Sequence, residues 1–106
     1  MKHTETQIRA MAVKMMDDLD VTYEADSIHV RYRLSQKIMW TGEVRDCWVV
    51  GIGVPDFRNR PGGDVVVITI DDETGEVLTY MDAPGRPIPG TLKLNSQGRY
   101  VRAALG

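Results

Sequence analysis

The segment from Asp64 to Met81 limits the choice of fold more than any other part of the chain. Val65, Val67 and Thr69 alternate with Val66, Ile68 and Ile70, a β-branched run with the period of two that a pleated strand imposes. Asp72-Glu73-Thr74-Gly75 then has the composition of a hairpin turn, in which Gly75 takes the positive φ that closes it. Glu76–Met81 returns as the partner strand. Strands joined by so short a turn pair antiparallel, and an antiparallel sheet commonly buries one face and leaves the other in water.

The N-terminal region offers the cover for that buried face. Thr4-Glu5-Thr6-Gln7 fits a capping box, and from there Ile8, Met11, Ala12, Met15, Met16 and Leu19 recur at helical spacing. Asp46–Val54 is rich in β-branched and aromatic residues and reads as a central strand, ended by Pro55 because proline cannot donate to a ladder. Ile28, Val30, Tyr32 and Leu34 alternate with His29, Arg31, Arg33 and Ser35 and predict a strand, while Val30, Leu34 and Ile38 also permit a helix. After the Pro/Gly-rich stretch 83–90, Thr91–Leu94 is expected as a short edge strand and Tyr100–Leu105 as a terminal turn of helix. One helix on an antiparallel β-meander is an α+β domain, cystatin-like in arrangement, and 106 residues suffice for one such domain and no second.

Charge and cysteine usage remove several classes of function. Thirteen basic residues against fifteen acidic ones give a formal net charge of −2, which argues against a general nucleic-acid binder. Position matters more than the total: residues 1–30 carry −3, 31–60 carry +3, 61–83 carry −6 and 84–106 carry +4. The single cysteine, Cys47, cannot form an internal disulfide, so a disulfide-scaffolded module is excluded. The polar start Met1–Thr6 is followed by no apolar leader core, and no apolar run reaches membrane-spanning length. A cytoplasmic protein without membrane contact is the expectation.

Chemistry-bearing patterns are thin. Gly51-Ile52-Gly53 has Asp56 where a dinucleotide fingerprint needs its third glycine, so these glycines are read as easing a strand bend or a close helix approach. His3, His29 and Cys47 match no zinc spacing, and Asp71-Asp72-Glu73 with Glu76 lacks the calcium-loop pattern, which leaves a solvated hairpin tip. Cys47 with His29 is the one thiol–imidazole pair, but a cysteine beside Trp48 in a core strand usually behaves as a small hydrophobe. No catalytic site, metal or cofactor is expected, and the protein is read as not an enzyme.

Polarised surfaces carry more. A strand over 28–34 would project His29, Arg31 and Arg33 from one face as a positive row, which Lys37 and the loop residues Arg58 and Arg60 could extend. Solubilising edge protection and docking of an acidic partner both fit such a row. Asp72 and Glu73 in the acidic hairpin offer turn chemistry or a place for a basic partner. Trp48 is read as packing under the helix, and Trp40, beside Thr41-Gly42, as an interface anchor. Nucleic acid is disfavoured because the row lacks interleaved aromatics for stacking. Arg31, Arg33, Trp40, Arg58, Arg60, Asp72 and Glu73 are therefore the candidate partner-binding residues.

The run Val65–Leu78, with its Asp71-x-x-Thr74-Gly75-x-Val77 core, resembles the hairpin of PepSY-type domains. Small bacterial immunity proteins of cystatin-like or nuclear-transport-factor-like shape show a similar pattern. The likeness covers residues 46–81, together with a helix at 4–19, and leaves the C-terminal quarter outside it. It implies a non-enzymatic module that binds a protein, either inhibiting a peptidase or blocking a toxin. The alternative expectations are a small-molecule or enzymatic site in a pocket between helix and sheet, converging on His29 or Cys47, and a homo-oligomer paired through an edge strand at 28–34 or 91–94.

Overall fold

The computed structural model describes residues 1–38, 41–56, 58–81 and 90–104. A helix α1 (Glu5–Asp18) leads through a single 3-10 turn (Ala25–Ser27) into β1 (His29–Lys37), β2 (Val44–Val54), β3 (Asp64–Asp71), β4 (Val77–Met81), β5 (Gly90–Leu94) and β6 (Tyr100–Ala104). The six strands form one antiparallel sheet whose spatial order equals the chain order. The protein is thus an α+β domain with its helix packed on a meander.

Helix α1 begins where its sequence says it should. The Thr4 hydroxyl accepts from the Gln7 amide at 3.2 Å and the Gln7 side chain accepts from the Thr4 amide at 2.8 Å, satisfying two donors that a helix start leaves open. Ile8, Ala12, Met15 and Met16 are fully buried from this helix. They meet Trp48, Val50 and Ile52 of β2, Val66, Ile68 and Ile70 of β3, Tyr80 of β4, Leu92 of β5 and Tyr100 of β6 in one core. Both outermost strands, β1 and β6, touch the helix, so the sheet curls around it. No helix of the described residues is long and apolar enough to cross a membrane.

Cross-links fix the helix at both ends. The Asp18 carboxylate accepts from the Tyr100 amide and pairs with Lys14, whose ammonium also reaches the Gly98 carbonyl at 2.9 Å. At the other end the amides of Lys2 and His3 donate to Asp72 in the β3–β4 turn.

Two expectations about the C-terminal quarter are corrected. Tyr100–Ala104 is a strand, not a turn of helix, because Asn95 folds the chain back. Its side chain accepts from the amides of Gln97 and Arg99, and Gly98 takes φ 75°. Thr91–Leu94 consequently lies inside the sheet between β4 and β6 rather than at its edge. Residues 28–38, open to either reading, are a strand from His29 on, with a bulge between Arg33 and Gln36 where Ser35 takes φ 50°.

Candidate functional site

Strand alternation divides the charged and apolar residues between two faces. Register pairs Val30 with Val50 and Tyr32 with Trp48 on the helix side, and the Tyr32 and Trp48 rings meet tilted by 54° with centroids 4.9 Å apart. On the outer side it pairs His29 with Gly51, Arg31 with Val49 and Arg33 with Cys47. The row continues across the sheet from Gly51 to Val67 and Met81, and from Val49 to Thr69 and Thr79. Because the sheet curls towards α1, this outer side is its convex face.

The outer face joins a basic margin to an apolar centre. His29, Arg31 and Arg33 are exposed and pair with no carboxylate among the described residues. On the same face Val65 of β3 is 50 % exposed and Met81 of β4 39 %, while Val101, 41 % exposed, stands on β6 at the opposite edge of the sheet. Gly51 contributes no side chain to this surface, and a Cβ there would meet only Val65, at 3.9 Å. Gly53 is different: a Cβ would lie 2.8 Å from the Ser27 hydroxyl, so it is a 3-10 turn and not a helix that approaches closely.

The acidic hairpin is only partly a solvated tip: Glu73, Thr74 and Glu76 are exposed, but its first two acids are not. Asp71 and Asp72 are buried, at 3 % and 4 % exposure. Asp72 accepts from the Trp48 indole N–H at 2.8 Å and from the amides of Lys2 and His3 at 2.8 and 3.0 Å. Burial pushes its carboxyl upward, but the Trp48 bond and the two amides outweigh that and hold it low, at about 2. Asp71 receives the Arg45 guanidinium at 2.8 Å, the Thr74 hydroxyl at 3.0 Å and the Glu73 amide. These carboxylates therefore close the turn and anchor the chain start, and of the two acidic candidates Glu73 alone is exposed. The turn does close on Gly75, at φ 75°.

The remaining candidates separate in the same way. Arg60 donates to Asp56 at 2.7 Å, and the amides of Arg58 and Arg60 cap the same carboxylate, so this loop is tied to itself instead of extending the row. Trp40 lies outside the described residues; Trp48 packs in the core with the helix, as expected. Cys47 and His29 share the outer face but stand four residues apart along β1, about 13 Å by strand rise. The Cys47 thiol is buried, and burial and then the Asp71 and Asp46 charges push its pKa up, so it is a poor nucleophile here.

An open groove lined by Val30, Tyr32, Trp48 and residues 1–5 lies on the helix side of the sheet, and other clefts lie around the β3–β4 turn. A cleft of about 700 Å³ is lined by Tyr32, Ser35, Arg45, Asp46, Asp71 and Asp72 among others, and neither His29 nor Cys47 lines it. Asp46, Asp71 and Asp72 in it already hold partners, Asp46 accepting from the Ser35 amide. Among the described residues no His, Cys, Asp and Glu side chains group as a metal site.

Which residues matter was partly visible in the sequence. The Asp72–Trp48 bond was missed; its signal was an acid at the turn one residue after a strand that packs beside a tryptophan strand. No protein-family model, no curated protein and no solved structure matches the chain.

Proposed function

We propose that this chain is a non-enzymatic protein-binding module that offers the outer face of its sheet to an acidic protein partner. One observation carries the reading: Arg31 and Arg33 stand exposed in a row on one face, without a carboxylate partner among the described residues, and Val65 and Met81 are partly exposed on the same face. Like charges aligned along a strand repel, and bringing up opposite charge relieves that repulsion. The apolar centre supplies the area that a stable contact must remove from water. An inhibitory or toxin-immunity role is the narrower form of this reading, supported by the hairpin resemblance at Asp71–Val77.

A photo-crosslinking residue at position 33 tests it against the same residue at Ser96, in the β5–β6 turn. The expected result is covalent capture of one acidic protein from position 33, lost when Arg31 is changed to Glu, and none from position 96. Equal capture from both positions, or capture insensitive to Arg31→Glu, overturns the reading. So does turnover of a small molecule by a preparation free of partners.

A further inference from the structure

The mode of binding follows from what lies at the free edge of β1. Gly53 donates its N–H to the Ser27 hydroxyl at 2.7 Å and its carbonyl accepts from the Glu24 amide at 2.9 Å, so both groups face the β1 side. By alternation Gly51, Val49 and Cys47 also turn their backbone groups to β1, which occupies those of His29, Arg31 and Arg33. Val30 and Tyr32 then direct their N–H and C=O groups away from the sheet. The Ile28 carbonyl obeys the same phase and is taken by the Arg9 guanidinium at 3.2 Å. No strand among the described residues pairs with β1 on that side.

The two sides of this edge differ in chemistry. Outward stands the basic row His29, Arg31 and Arg33. On the helix side an open groove of about 570 Å³ is lined by Val30, Tyr32 and Trp48 together with residues 1–5. A strand edge guarded only by charge would not also expose an apolar groove.

We infer that β1 takes an added β-strand from its partner, an extended segment in which acidic and apolar residues alternate. This rests on the protein-binding reading above and specifies how it is achieved. The segment's backbone bonds to Val30 and Tyr32. Its acidic side chains fall beside His29, Arg31 and Arg33, and its apolar ones enter the groove over Val30 and Tyr32. The bulge after Arg33 ends the pairing, so the recognised segment is short. A second copy of this chain is the wrong occupant, since pairing β1 with β1 sets arginine against arginine.

The test is a fluorescent probe peptide of strictly alternating Glu and Val, titrated onto the whole chain. A peptide of the same composition with its Glu and Val in separate blocks is expected to bind at least about tenfold more weakly, as is an alternating Lys/Val peptide. The double variant R31E/R33E should reverse the preference and favour the Lys/Val peptide. N-methylation on alternate residues should abolish binding in one register and spare it in the other. V30P removes an outward N–H without touching the β1–β2 ladder and should also lose the peptide. Should V30P fail to fold by circular dichroism, the N-methylated pair still decides. Equal binding of the blocked peptide, or equal effects of the two methylation registers, overturns strand addition and leaves charge-driven protein binding standing. If no acidic peptide binds while position 33 still crosslinks a protein, strand addition alone falls. Preferential binding of oligothymidylate overturns both proposals.

Discussion

Two runs of like charge, the acidic turn Asp71–Glu76 and the basic row on β1, look equally fit for docking in the sequence and have opposite fates in the fold. In the turn, Asp71 and Asp72 are buried and surrounded by donors. Along β1, Arg31 and Arg33 stand exposed with no carboxylate to answer them among the described residues. A buried ion is retained only when hydrogen bonds replace its water, so Asp71 and Asp72 have their partners inside the molecule. The exposed arginines keep their water, and no carboxylate among the described residues competes for them. A charge run thus gains meaning from which of its members are already satisfied.

The contrast breaks most clearly at Asp72. Asp72→Ala leaves the buried Trp48 indole N–H and two amides without their acceptor, and the expected loss is about 2–3 kcal/mol in urea unfolding with an unchanged slope. A loss below about 0.5 kcal/mol would place the acidic turn with the basic row as surface charge.

Acid tests the same site without mutation. The Asp72 carboxyl sits at about 2 in the fold against an ordinary value of 3.8. Its contribution is therefore complete above the unfolded value and is lost as pH falls from about 4 through about 2. Urea midpoints followed by tryptophan fluorescence should drop across this window. Asp72→Asn should flatten the drop, leaving the slope due to Asp18, which the Lys14 pair and the Tyr100 amide also hold low, and to Asp56, held low by the Arg60 amide and side chain. An unchanged slope in Asp72→Asn would remove Asp72 from the account.

The basic row should behave in the reverse sense. R31E/R33E is expected to leave the unfolding midpoint within about 0.5 kcal/mol of the parent while changing peptide binding at least about tenfold. A large stability loss would mean that these arginines serve the fold. The smallest effect is expected at Arg60, an exposed cation already paired with Asp56. Arg60→Ala should move stability by less than about 0.5 kcal/mol and leave peptide binding unchanged, and weakened binding would return the loop to the docking surface.

Elements whose patterns are local were legible before any coordinates. The capping box at Thr4, the strands at 46–54 and 64–71 and the turn on Gly75 all follow from short-range chemistry. Tyr100–Ala104 was not legible, because an isolated five-residue segment carries no decisive period and its strand exists through pairing with β5. The candidate site divided along the same line. Strand alternation alone placed His29, Arg31 and Arg33 in one row, whereas the capture of Asp72 by Trp48 and the chain start joins residues far apart in sequence.

By itself the sequence determined the helix, most of the strands and the antiparallel order, since propensity, capping and turn chemistry act over a few residues. Only the tertiary structure decided which charges are available. Availability depends on water: packing α1 against the curled sheet removed it from Asp71 and Asp72, and the unpaired side of β1 left it on Arg31 and Arg33.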